Sequence, residues 1–180
     1  MAAVPTSSTI ENKLYNSQAG RVLFKEGKSG TINLICPITE KIYGNEIPQK
    51  LSITYRDGDG HEGKNSSVSA TLRRIRKSDG HVETIKNSAV SSNNANAPNS
   101  GPTGWRTHYS NTSGFPQNNI NYSWEMSKYF YYVQITLKKL NRVTPLGVLG
   151  VALYHLQLEI HLFFLPSIVD LMGITSIWAD

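Results

Sequence analysis

The residues that come nearest to a chemical motif are the aspartates of Asp57-Gly58-Asp59-Gly60-His61-Glu62. Carboxylates at alternate positions can converge on a hard cation, as they do in a calcium loop. The match breaks down two ways: Glu62 stands where that loop needs glycine, and Val68 stands where its bidentate glutamate belongs. A tight hairpin turn accounts for the same residues, because Asp-Gly supplies the positive φ such turns require. No metal site is therefore expected.

Other arrangements give no catalytic signal. The five histidines, His61, His81, His108, His155 and His161, lack the i, i+4 spacing of a helical zinc motif and have no cysteine pair beside them. They are expected at the surface or in turns. A Gly-x-Ser-x-Gly elbow, a phosphate-cradling loop and a dinucleotide fingerprint do not occur. Paired carboxylates for acid and base work can arise only in the folded chain, from among Asp57, Asp59, Glu62, Asp79, Glu83 and Glu125, and their spacing selects no two of them. No catalytic residue and no cofactor is assigned. The one cysteine, Cys36, lies at an inward position of an apolar run and reads as a buried, inert thiol.

Two binding chemistries remain. Arg73-Arg74-Ile75-Arg76-Lys77 is basic, but in a strand its side chains point to both faces, and no aromatic platform is interleaved with them. It reads as a sheet edge kept from aggregating by charge, with no nucleic-acid partner. The aromatics Trp105, Tyr109, Trp124, Phe130 and Tyr132 are the candidate ligand-binding residues. Exposed, they would stack on sugar rings or bury against a partner protein; the alternative is that they pack the long loop onto the sheet. Three glycosylation sequons begin at Asn65, Asn111 and Asn121, a pattern that chance produces in a chain so rich in Asn and Ser.

The elements that position these residues follow from apolar alternation. In Tyr129 to Lys139, Tyr129, Tyr131, Val133, Ile135 and Leu137 fall on one face, and Phe130, Tyr132, Gln134, Thr136 and Lys138 on the other. A half-buried strand of this kind needs antiparallel neighbours and a second layer over its apolar side. Short strands are expected at Arg21 to Lys25, Thr31 to Ile38 and Leu51 to Arg56. Another through Val68, Ala70 and Leu72 forms a hairpin with one near Val82 and Thr84, across the turn Ser78-Asp79-Gly80. Ile75 breaks the phase, so a bulge or strand end is expected near Arg73-Arg74. Val148 to Leu153 is expected to pair with the strand at 129–139. Residues 87–121, rich in Ser, Asn, Pro and Gly, form a long ordered loop over one end of the structure, a natural place for a binding surface.

The whole therefore reads as all-β, a single antiparallel β-sandwich of about seven to nine strands, jelly-roll-like, over residues 1–155, with an irregular arm at 1–19. With 180 residues the chain can bury a core without disulfides. Its 39% apolar and 17% charged content suits a turn-rich β protein, and a net charge of +5 favours solubility and weak attraction to anions.

The apolar tail at 156–180 differs in character. Leu156, Leu158, Ile160, Leu162 and Phe164 alternate as in a strand, with a phase opposite to that of Leu149, Val151 and Leu153, so a bend, a bulge or a separate partner must intervene. Glu159, His161, Pro166 and Asp170 argue against a membrane span, since a charge at mid-bilayer costs about 2.5–3.5 kcal/mol. The N-terminus lacks the basic and apolar regions of a signal peptide, so the chain as written carries no export address.

Cys36-Pro37-Ile38, Ser100-Gly101-Pro102-Thr103-Gly104-Trp105, Tyr131 to Leu137 and Leu146 to Val151 together resemble stretches of uncharacterised bacterial exported β-sandwich proteins, over residues 20–155. The resemblance implies a sandwich fold and an extracytoplasmic location. It brings no catalytic residue with it. The leading expectation is a non-catalytic structural or interaction protein that binds a protein or carbohydrate. A carbohydrate-binding module using the loop and outward aromatics is the alternative, and a hydrolase whose carboxylates meet only in the fold is the third.

Overall fold

A computed structural model describes residues 4–5, 14–18, 21–39, 50–61, 63–101, 104–110, 120, 124–142, 145–154 and 159–163. Twelve strands are present: β1 Val4–Pro5, β2 Tyr15–Gln18, β3 Arg21–Phe24, β4 Gly30–Ile38, β5 Lys50–Asp57, β6 Ser66–Arg76, β7 Val82–Thr84, β8 Val90–Ser91, β9 Arg106–Tyr109, β10 Tyr129–Lys139, β11 Leu146–Tyr154 and β12 Glu159–Phe163. The excess over the expected number comes from pieces of two to four residues, too short to show a period. No helix occurs among the described residues, and so none is long and apolar enough to cross a membrane.

The strands form two antiparallel sheets. The first runs β1-β4-β10-β6-β7, with β8 also on β6; the second runs β2-β3-β11-β5-β9, with β12 also on β11. β10 lies at the centre of the first sheet, in register with β4 from Tyr131↔Ile38 to Lys139↔Gly30 and with β6 from Tyr129↔Arg76 to Lys139↔Ser66. Its inward side chains Tyr131, Val133, Ile135 and Leu137 are buried against Leu51, Ile53, Tyr55, Val148 and Leu153 of the second sheet in one continuous core. A half-apolar strand has thus found the two antiparallel neighbours and the opposing layer it needs.

Connectivity departs from expectation in two places. β11 does not pair with β10 but crosses to the second sheet, between β3 and β12 on one side and β5 on the other. The segment Asp57–Gly60 is not a hairpin turn either, because β5 and β6 belong to different sheets. It passes the chain from one layer to the other, and Gly60, at φ +67, makes the left-handed step that glycine takes without strain. The β6–β7 hairpin is formed as expected, with Gly80 at φ +73. The reversed phase of the tail is resolved by a separate partner: β12 lies antiparallel to β11 from Gly150↔Phe163 to Tyr154↔Glu159.

Two further expectations fail for one reason. No bulge interrupts β6 near Arg73-Arg74, since its register with β10 is unbroken through Phe130↔Ile75. Ile75 leaves the inward phase because it points outward. The basic run is also not at a sheet edge, since Arg73, Arg74 and Ile75 are flanked by β10 on one side and β7 on the other.

The described stretches of the expected 87–121 loop, 87–101 and 104–110, are ordered by serines, while 111–119 and 121 lie outside the described residues. Each of four hydroxyls accepts a strand N–H: Ser88 from Leu72 (3.2 Å), Ser92 from Val68 (2.9 Å), Ser100 from Asp57 (2.7 Å) and Ser110 from Leu51 (3.0 Å). Side chains here carry the pairing past the ends of the short β7, β8 and β9 ladders, so buried backbone groups stay paired although the loop is irregular. The Tyr55 hydroxyl adds an anchor by donating to the Pro98 carbonyl at 2.6 Å.

Candidate functional site

Folding selects the pair of carboxylates that spacing did not. Asp57, at the end of β5, is 0% exposed, and its carboxylate accepts from the hydroxyls of Ser66 (2.6 Å) and Ser92 (2.5 Å). Asp59 contacts the same Ser66 hydroxyl and accepts from the Asn65 N–H at 2.9 Å. Gly63 allows this wrapping, because a Cβ there would overlap the Asp59 carboxylate. Burial, then the neighbouring Asp59, pushes the Asp57 carboxyl up to about 6. Burial pulls Asp59 the same way, but hydrogen bonds from Asp57, Ser66 and the Asn65 amide outweigh it and hold Asp59 below the usual carboxylate range. A shared proton fits such a pair, with the protonated Asp57 donating to Asp59. Asp57 has no solvent face on which a substrate can sit, so the pair is built as a lock between β5, β6 and the loop.

Among the described residues no group of three or more metal-ligating side chains comes together. Cys36 is buried and its thiol is pushed up to about 12 by desolvation, well away from the reactive thiolate range. His108, expected at the surface, is instead 2% exposed on the inward side of β9, and burial lowers its pKa. Asn94 Nδ2 lies 3.5 Å from His108 Nε2.

The five candidate aromatics are spread over three places. Trp124 packs inward, edge-on to Tyr131 with centroids 4.6 Å apart. Trp105 is half-buried just before β9, with the Arg21 guanidinium 5.5 Å from its ring centroid, and Tyr109, 37% exposed, lies on β9 at the margin of the second sheet. Phe130 and Tyr132 lie on the outward alternation of β10 in the first sheet. Phe130 is 60% exposed; Tyr132 is buried between its cross-strand neighbours Pro37 and Arg73.

Strand register then adds two residues that spacing along the chain did not reveal. Val82 on β7, Ile75 on β6 and Phe130 on β10 are direct cross-strand neighbours, forming a row across three strands on the outward face. Val82 is 45% exposed, so both ends of the row are bare. Single exposed apolar side chains are ordinary; here three lie contiguous.

Cations line this row, and here the expected lack of interleaved aromatics is overturned. The Lys77 ammonium sits 4.6 Å from the Phe130 ring centroid and donates to the Met126 carbonyl at 2.6 Å. Arg73 donates to Gln134 Oε1 at 2.7 Å on the same face. Arg74 and Arg76 point to the opposite face, where Glu83 pairs with both and Asp79 with Arg76. The outward alternation of β4, β6, β7 and β10 carries no Asp or Glu at all. The result is an apolar strip on a face of one charge sign.

No protein-family model, curated protein or solved structure matches the chain.

Proposed function

We propose that this protein is a non-catalytic interaction module that presents the outward face of its first sheet to a partner protein. The observation that carries the reading is the exposed row Val82–Ile75–Phe130, held on three hydrogen-bonded strands of a rigid sandwich. The acid pair Asp57–Asp59 supports a non-catalytic reading, because its buried carboxyl serves packing and hydrogen bonding, not a cleft. No cofactor is needed, and an extracytoplasmic setting is part of the proposal.

A photo-crosslinking amino acid at position 130, in the cells that make the protein, tests the reading against the same substitution at Leu140, which is 58% exposed away from the row. A discrete protein adduct from position 130 and none from 140 is the expected outcome. Equal labelling, or none at 130, ends it.

Carbohydrate binding would rest on Trp105, just before β9, and Tyr109, its last residue, at the margin of the second sheet. Titration with soluble polysaccharides, read by Trp fluorescence, tests that second reading, and a flat response removes it.

A further inference from the structure

β7 closes one end of the first sheet, and its hydrogen-bonding phase can be read from its flanks. Arg76 N–H donates to His81 O, and Ile85 N–H donates to Leu72 O, both at 2.9 Å. In an antiparallel ladder, hydrogen-bonded pairs alternate with pairs that are not. The pairs 76–81, 74–83 and 72–85 are therefore bonded, and Val82 and Thr84, opposite Ile75 and Arg73, are not. Their N–H and C=O groups point away from β6, out of the sheet. Both residues are exposed, and among the described residues no strand lies on that side.

The bare edge adjoins the exposed row, since Val82 belongs to both. An open edge is completed by an extended chain, which bonds through its backbone and places alternate side chains on the sheet face. The neighbouring charge selects the sequence of that chain. Arg73 and Lys77 border the row, Lys86 is exposed two residues beyond Thr84, and the acids nearby are already engaged with Arg74 and Arg76 on the other face.

Resting on the interaction reading above, we infer that the partner is an acidic peptide segment in extended conformation, which adds as a further strand along β7 and lays an apolar side chain against Val82, the near end of the row, since Ile75 and Phe130 lie one and two strand spacings of about 4.8 Å further in. The open groups of Val82 and Thr84 supply the docking bonds. Arg73, Lys77 and Lys86 favour Asp and Glu at its other positions, through a long-range attraction that salt screens.

Random twelve-residue peptides displayed on phage and selected on the immobilised full chain test this. Enriched peptides are expected to interleave apolar residues with Asp or Glu, and labelled copies to bind at least tenfold more weakly in 0.5 M salt. Val82→Ser reports on the near end of the row, and Thr84→Pro removes an outward N–H without touching the bonds to β6. Each is expected to weaken binding tenfold or more while thermal unfolding stays cooperative. Should Thr84→Pro unfold the hairpin, N-methylation of alternate peptide residues makes the same test from the ligand side, with one of the two registers losing binding. Peptides that need Phe130 but ignore both Thr84→Pro and N-methylation overturn strand addition and leave the interaction face standing. Selection of basic peptides overturns the charge preference. If no selected peptide depends on Val82 or on Phe130, both this inference and the reading on which it rests are overturned.

Discussion

Asp57 illustrates how an acidic residue is tolerated inside a β core: two serine hydroxyls replace water it has lost, and a proton shared with the neighbouring Asp59 spares it the full charge. Because its folded pKa is raised to about 6 from an ordinary 3.8, the native state holds a proton that the unfolded chain releases between those values. Its contribution to stability therefore falls as pH rises from about 4 to about 6 and stays low above that. Asp57→Asn places a permanent N–H donor towards Asp59, where the proton sits. The variant is expected to match or exceed the parent at pH 7.5, by up to about 1–3 kcal/mol, and to fall behind it or draw level near pH 4.5. Chemical denaturation at the two pH values measures this, and the difference between the two proteins cancels the opposing titration of His108, whose lowered pKa makes it lose stability as pH falls below 6.5. An equal gap at both pH values removes the carboxyl from its assigned role. The carboxylates were visible in the sequence as a pair of candidates among six, but their partners were not. In the sequence Ser66 is only part of a glycosylation sequon, and Ser92 and Ser100 are only loop residues; the fold brings Ser66 and Ser92 to the Asp57 carboxylate, and Ser92 and Ser100 to strand N–H groups.

At the scale of the element, apolar alternation carried most of the information. It placed β10 with the bounds found, put Tyr131, Val133, Ile135 and Leu137 in the core, and put Phe130 outward. It fails at Ile75, whose departure from phase reads as a bulge or strand end although it is the centre of a row between two exposed side chains. One strand alone cannot distinguish an irregular backbone from a regular backbone carrying an apolar residue on its wet side; the neighbours Val82 and Phe130 make the distinction. β8 and β9 were illegible because two to four residues hold no period. Gly147 shows the converse, a strand position where the side chain must be absent. A Cβ there would come within 2.9 Å of the Val22 carbonyl and run into the Leu23 side chain, where β3 pairs with β11. Gly147→Ala is expected to cost about 1–3 kcal/mol by forcing these strands apart. Hydrogen exchange at Val22 and Val148 should rise more than at Val133 in the other sheet, and uniform exchange would contradict a local cause.

The whole molecule is a sandwich whose two layers were legible as a class and not as a connection diagram. Alternation says that a strand has one wet and one dry side, but it does not say which sheet the strand joins. Hence alternation alone sets β11 beside β10, although it lies across the core from it, and joins β5 to β6 as a hairpin, although they belong to opposite layers. The tail is legible as a strand, and its reversed phase leaves a bulge, a bend or a separate partner open; β12 lies antiparallel to β11 and extends the second sheet along the part of β11 that β3 leaves uncovered. A chain ending at His155 is therefore expected to melt about 2–8 °C lower than the full chain, because five residue pairs are lost from β11. An unchanged melting temperature would deny β12 any part in stability. The central place of β10 has a further cost in time. Both strands that grip it, β4 and β6, precede it in the chain, and the last of their residues, Arg76, leaves the ribosome well before Tyr129. At about 5–20 residues per second, the two halves of that sheet wait on the order of several seconds with naked flanks and nothing between them. During that interval the nascent polypeptide is a template for sticking to its own siblings, and a chaperone that shields strand borders would raise the yield of soluble product more than any gain in final stability.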